Sequence, residues 1–305
     1  MVMENKFNNL QNGNFESTKF LVVDIEFGGF GAMIDRRRLG LHLGFLSNRC
    51  VIFRNSGDIY DNPFLDISKW YLSDIQNNQF KPLDINNLEN QIDKFCYFDF
   101  MGYWNSPLRN QLQYSSLNDV DFRYHHGFLL SKLKLKSEYE DFYFNKKNIL
   151  GVNSDMIGVH VRRGDKIVDC PYIDNEIYYY IISDIKNKTG INKIYLTSDD
   201  SNLVNDFKRD LKDFEIIWDF DENRYGKKEQ SNLDLVRTNH NFSKQEALTG
   251  IKTIKLLSDC DYIIGQSNAQ FSKLSILLSK YRNINNMYYL IDPDTKKIVD
   301  WENIK

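Results

Sequence analysis

The strongest pattern in the chain is the alternation of short apolar runs with helix-length amphipathic spans. Residues 20–25, Phe-Leu-Val-Val-Asp-Ile, are apolar without a helical period and predict a strand. Glycines 28, 29 and 31 follow and predict a tight turn, residues 32–46 a helix, and residues 51–54 a second strand, together a β-loop-α-β opening. From 58 to 128 the pattern weakens into aromatic-rich stretches that predict loops and short helices in no fixed order. Residues 129–144 place leucines, aromatics and charges at near-helical spacing, and Asn145-Lys146-Lys147-Asn148 predicts a linker. Beyond it the alternation becomes regular: strands over 156–159, 193–197 and 215–218 separated by helices over 176–186 and 202–211, as a Rossmann-like half requires.

Two α/β domains are therefore expected, residues 1–147 and 148–305. The length of 305 residues suits two cores of about 150 residues each. A hydrophobic content of 42% excludes a disordered chain, and a net charge of −3 predicts no broad attraction to nucleic acid or anionic membrane. No apolar stretch reaches the roughly 18 residues of a membrane span, and residues 1–17 are polar and asparagine-rich, so neither a span nor a signal peptide is expected. Cys50, Cys96, Cys170 and Cys260 are scattered without a CxxC pair, which predicts reduced thiols and neither disulfides nor zinc.

Chemistry concentrates after the strand at 156–159, in His160-Val161-Arg162-Arg163-Gly164-Asp165-Lys166. A strand this apolar reads as central and parallel, and ligands of open α/β sheets gather beyond the carboxyl ends of such strands. Arginine's planar fork fits phosphate oxygens bidentately and can steady a departing diphosphate without a metal. The alternative is a surface ion-pair cluster with Asp165 and Asp169. Asp199-Asp200 offers either a helix cap, a metal pair or a contact to a donor; the arginines already supply counter-charge, which argues against the metal. Ser267-Asn268-Ala269-Gln270, after the apolar run 262–264, predicts a strand-to-helix turn whose N–H groups cradle a diphosphate or are simply capped. Gly28-Gly29-Phe30-Gly31 lacks dinucleotide and P-loop spacing; it is either a turn needing positive φ or a place of close ligand approach. Arg36-Arg37-Arg38 reads as a helical charge run with a solvated member. His125-His126 reads as surface, because no carboxylate stands at ligand spacing. Tyr178-Tyr179-Tyr180 reads as core packing.

These segments together carry a resemblance. His160 to Lys166, then Ile194-Tyr195-Leu196-Thr197-Ser198-Asp199-Asp200, then Leu257 to Gly265 with Ser267 to Ser272, preceded by the glycine loop, occur in the order of the α1,6-fucosyltransferase family's motifs. The resemblance spans roughly residues 24 to 290. It implies a GT-B-like fold of two Rossmann-like domains with an interdomain cleft, and inverting, metal-independent transfer of fucose from GDP-fucose to a glycan hydroxyl, with no cofactor. Alternatives are another nucleotide-sugar donor or a non-catalytic glycan- or nucleotide-binding protein of that fold. The missing anchor, against the family's secretory members, implies a cytoplasmic protein.

Carried over by position, His160, Arg162, Arg163, Asp199, Asp200, Ser267, Asn268, Ala269, Gln270, Gly29 and Gly31 are implied to bind the donor, and Lys166 matches the family lysine. The family's proposed base, a glutamate, falls in register on Cys170. Asp169, one residue earlier, is the implied base with Lys166 and Arg162 as the other catalytic groups, and Asp174 is the alternative. Thr253 stands where the family has an aspartate that helps hold guanine. A nicotinamide-binding Rossmann protein is disfavoured, since no G-x-G-x-x-G opens a helix with an acidic residue about 20 positions on.

Overall fold

The computed structural model describes residues 2–25, 28–54, 60–88, 90–100, 121–163, 171–222 and 236–301. The chain divides into two compact units, Met1–Lys136 and Ser137–Lys305.

In the first unit, helix α1 (Val2–Asn12) precedes strand β1 (Phe20–Asp24), helix α2 (Phe30–Leu46) and strand β2 (Cys50–Arg54), the β-loop-α-β unit expected from the opening pattern. β1 pairs in parallel with β2 on one side and with β4 (Phe95–Asp99) on the other, and β4 carries the two-residue β3 (Lys81–Pro82) at the edge. The pattern over 58–128 did not reveal β4. Its Cys96 and Phe98 point into the core while Tyr97 and Asp99 face out, a period-2 alternation hidden because the outward tyrosine is as bulky as the inward residues.

α2 is buried on nearly every side, its charged run Asp35 to Arg38 included. This overturns the solvated reading of the arginine run, because Arg36, Arg37 and Arg38 are all buried. Arg38 donates to Asp35 at 2.8 Å, and Arg37 lies over the Phe64 ring, so the helix brings partners for its own charges. Gly44 permits the close seat of α2 on the sheet, since a Cβ there would meet Val51 Cγ2 at 2.2 Å. Arg49 is fully buried at the end of the following turn. It donates to the carbonyls of Phe20 at 3.3 Å, Asp93 at 2.7 Å, Lys94 at 3.5 Å and Gln91 at 3.1 Å. Five donors on one rigid fork suit this task.

Among the described residues the unit also holds a short helix α3 (Leu72–Ile75), a 3-10 turn (Ile85–Asn87) and helix α4 (Phe122–Ser131). The near-helical span 129–144 is thus two helices, α4 and α5 (Ser137–Leu150), divided at 132–136; the residues read as a linker, 145–148, lie inside α5, and the division between the units precedes that helix.

The second unit holds a six-stranded sheet in the order β10-β9-β8-β5-β6-β7. β5 (Ile157–Val161), β6 (Lys193–Ser198), β7 (Glu215–Ile217), β8 (Tyr262–Gln266) and β9 (Met287–Ile291) are parallel, and β10 (Ile298–Val299) is antiparallel to β9. Helices α6 (Asn175–Thr189), α7 (Leu203–Asp210), α8 (His240–Asp259) and α9 (Gln270–Arg282) alternate with the strands. β5 is buried at all five positions and packs with Ile181, Ile182 and Ile185 of α6. That is why its sequence shows no alternation. Tyr178 is in this core as expected, whereas Tyr180 is 74% exposed. Cys50, Cys96 and Cys260 are buried free thiols, and Cys170 lies outside the described residues. Among the described residues no helix is long and apolar enough to cross a membrane.

Candidate functional site

The chain leaves β5 for β6 and β7 on one side and returns to β8 and β9 on the other, so the direction of winding reverses between β5 and β8. A reversal of this kind opens a crevice beyond the carboxyl ends of the two strands. Three of the sequence-predicted segments, 160–163, 199–200 and 262–272, meet there.

His160 is the penultimate residue of β5 and is buried. Its Nδ1 lies 2.8 Å from Ser272 Oγ on α9, and its ring stacks near Phe271 with centroids 6.0 Å apart. Burial, with Arg162 adding to it, pushes its pKa down to about 3, so the imidazole is neutral and works as a fixed polar wall. Ser272 Oγ also accepts from the Gln266 N–H at 3.3 Å. This tight junction of β5, β8 and α9 needs Gly265, because a Cβ there would meet Ser272 Oγ at 2.2 Å. Gln266 closes the crevice floor by donating from Nε2 to the Arg162 carbonyl at 3.1 Å.

Arg162 and Arg163 are oriented by the acidic pair at the end of β6. Arg162 forms an ion pair with Asp199, whose other oxygen accepts the Arg163 backbone N–H at 2.7 Å. Arg163 reaches Asp200 at 3.7 Å, donates to Asn175 Oδ1 and lies over the Tyr172 ring at 5.6 Å. The arginines are thus paired with Asp199 and Asp200, one strand away. Asp165 and Asp169, the partners weighed from sequence, lie outside the described residues with Gly164, Lys166 and Cys170. Asp200 also accepts from the Asn202 N–H at 2.9 Å, just ahead of α7, which joins the capping reading to the arginine contact.

The turn after β8 keeps Ser267 and Ala269 buried and Asn268 exposed, and α9 begins at Gln270 with Ala269 as a cap that makes no side-chain hydrogen bond. The first-turn N–H groups of α9 therefore remain available to an anion. Gly29 and Gly31 belong to the first unit. Gly29 has φ −65°, so the positive-φ turn is excluded there; it is the N-cap of α2, with its carbonyl accepting from Ala32 at 2.9 Å, and a Cβ would touch nothing within 4 Å. Asp174 is the N-cap residue of α6 without a side-chain capping bond. Thr253 is buried on α8, beside Lys252, which pairs with Asp219 at 2.7 Å; Lys146 meets the same carboxylate at 3.0 Å.

Sequence reading missed Gln266, Ser272, Asn175 and Tyr172 as members of this cluster. Ser272 stood inside a recognised motif; the others carry no local signal, because their roles exist only once β5, β8 and α6 are side by side.

Relatives fit this geometry. Residues 120–289 match the profile of the alpha-(1,6)-fucosyltransferase N- and catalytic domains. The alpha-(1,6)-fucosyltransferase of Drosophila melanogaster is 24% identical over 179 residues, 53% of this chain and 27% of the fly protein, so the chain spans about a quarter of that relative's length. Among solved structures, NodZ alpha-1,6-fucosyltransferase soaked with GDP-fucose aligns over 93% of this chain and 99% of its own, with 12% identity and a TM-score of 0.53. NodZ from Bradyrhizobium aligns with a TM-score of 0.52 at the same identity and coverage. An Arabidopsis thaliana FUT1 mutant in complex with GDP aligns over 97% of this chain and 76% of its own, again with 12% identity and a TM-score of 0.53. At such identities the structures establish a shared α/β fold, while the profile covers more than half of the sequence and includes the strands and helix that build the crevice: the chain belongs to the alpha-(1,6)-fucosyltransferase family.

Proposed function

We propose that this protein is a GT-B-like, inverting, metal-independent glycosyltransferase that transfers fucose from GDP-fucose to a glycan hydroxyl. The observation that carries the reading is the placement of Arg162 and Arg163 directly after β5, where the strand order reverses between β5 and β8. Two arginines held by Asp199 and Asp200 beyond the end of β5, and a helix that starts just after the neighbouring β8, are a set of groups that suits a diphosphate and its developing charge. His160, Asp199 and Asp200 hold this apparatus in place. Ser267, Asn268, Ala269 and Gln270 supply the backbone cradle, and Gly29 and Gly31 form the first unit's ligand loop. Asp169 takes the proton of the acceptor hydroxyl with Lys166 beside it. In this proposal the unit Ser137–Lys305 binds the nucleotide sugar, the unit Met1–Lys136 serves the acceptor, and the enzyme works in the cytoplasm.

Thr253 favours a second reading in which the donor carries another base, since no carboxylate stands at the position where the family aspartate holds guanine. Calorimetric titration with GDP, UDP, dTDP, CDP and their sugar conjugates, with and without EDTA, separates the two. GDP binding that survives EDTA, followed by slow hydrolysis or transfer of GDP-fucose across a glycan panel, supports the first reading. Preference for another nucleotide supports the second. Donor binding without turnover on any acceptor leaves the protein a binder.

A further inference from the structure

The first unit contains a cluster that the proposed transfer chemistry does not use. His42, in the fourth turn of α2, meets His125 and His126 of α4, and all three are fully buried. This reverses the surface reading of the adjacent histidines. Each of the three offers a nitrogen within 4.8 Å of the other two. The ring centroids are 5.0 Å apart for His42 and His125, 4.6 Å for His42 and His126, and 5.2 Å for His125 and His126, with interplanar angles of 63–70°.

Three imidazoles bound to one zinc ion at about 2.0–2.1 Å have donor nitrogens about 3.3 Å apart and ring centroids about 5 Å apart. His42 Nδ1 and His125 Nε2 are already 3.0 Å from each other. The centroid triangle has the required size. We propose that His42, His125 and His126 form a binding site for one borderline divalent transition ion, zinc in the first instance, that ties α2 to α4.

Chemistry and surroundings agree with this assignment. Coordination needs neutral imidazoles, and all three rings are fully buried away from water. Arg38 is engaged with Asp35 at 2.8 Å, and Lys6 lies over the Phe45 ring at 5.0 Å, so both cations have partners of their own. A three-histidine set leaves a fourth position for a small ligand, and imidazole donors select zinc, cobalt, nickel or copper over magnesium and calcium. The ion is structural. It sits in the helix pair of the first unit and takes no step in the transfer.

The experiment strips the full chain with dipicolinate under mild denaturation and refolds it with Co2+ or Zn2+. One equivalent of Co2+ is expected to give tetrahedral visible bands that Zn2+ abolishes, and Zn2+ is expected to raise the melting temperature. His42→Gln and His126→Gln are each expected to weaken Co2+ binding at least 100-fold with near-ultraviolet dichroism retained. If these variants do not fold, long-range proton-nitrogen spectra of the wild type decide. The chain has 5 histidines, and Zn2+ is expected to shift His42, His125 and His126 while His160 and His240 stay in place. A wild-type protein that retains no ion overturns the proposal. So do bands that persist in both variants, or spectra in which other histidines shift.

Discussion

In the metal-free protein, lowering the pH from 7.5 to 5.0 is expected to destabilise both units, because each holds buried imidazoles whose pKa burial depresses. Burial pushes His125 in the first unit to about 4 and His160 in the second to about 3, against an ordinary value of 6.5. For a base whose folded pKa is depressed, the unfolded chain binds the extra proton. Its contribution to stability is complete above 6.5 and is lost progressively as the pH falls toward the folded value. Between 6.5 and 5.0 the loss is 1.5 pH units at 1.36 kcal/mol each, so each unit loses about 2 kcal/mol through these residues. His42 adds to the first unit in the same direction. Carboxylates with lowered pKa, such as Asp121 and Asp219, lose their contribution only below the ordinary 3.8, which leaves the interval from 5.0 to 6.5 to the histidines. Urea unfolding at pH 7.5, 6.5 and 5.0, with hydrogen exchange to separate the units, measures the slope, and His160→Gln should flatten it in the second unit alone. Stability that is level across this interval in both units would refute the buried, neutral imidazoles.

Arg162→Ala removes a charge-assisted contact to the diphosphate and should weaken GDP binding about 30-fold or more, by calorimetry; an unchanged dissociation constant removes Arg162 from the donor site. Asp169→Asn should leave donor affinity intact and lower turnover about 100-fold, with Cys170→Ala mild; full activity in Asp169→Asn together with loss in Asp174→Asn moves the base to Asp174. Gly265→Ala forces Ser272 away from His160 and should cost about 1–3 kcal/mol in urea unfolding, together with donor affinity; a neutral result would mean that the β5-β8-α9 junction relaxes freely.

The second unit was legible in sequence because its parallel strands are buried on both faces, so 156–159 and 194–196 stand out as short runs without alternation between helices. The true β5 continues through His160 and Val161, since a strand end is set by the last ladder pairing, here Val161 opposite Ser198, and not by polarity. The cationic residues were found for the same reason: arginines directly after a central strand leave few places for a ligand. What sequence could not give was partnership. Arg162 meets Asp199 across 37 positions, His160 meets Ser272 across 112, and His42 meets His125 across 83, distances at which no local periodicity carries information. The buried histidines were misread for a related reason, since a helix buried all round has no polar face to announce its orientation.

Arg49 has a consequence for the order in which the first unit can be completed during synthesis. β1, α2 and β2 leave the ribosome as one consecutive block, and by then the buried guanidinium has met only the Phe20 carbonyl. The other three acceptors, on Gln91, Asp93 and Lys94, emerge more than forty residues later, directly ahead of β4. A nascent chain halted before residue 91 therefore holds a cation at the foot of its sheet with most of its donors turned to water. Arrival of β4 both supplies the missing strand beside β1 and captures that fork, which makes a single side chain the latch between the early and the late half of the sheet.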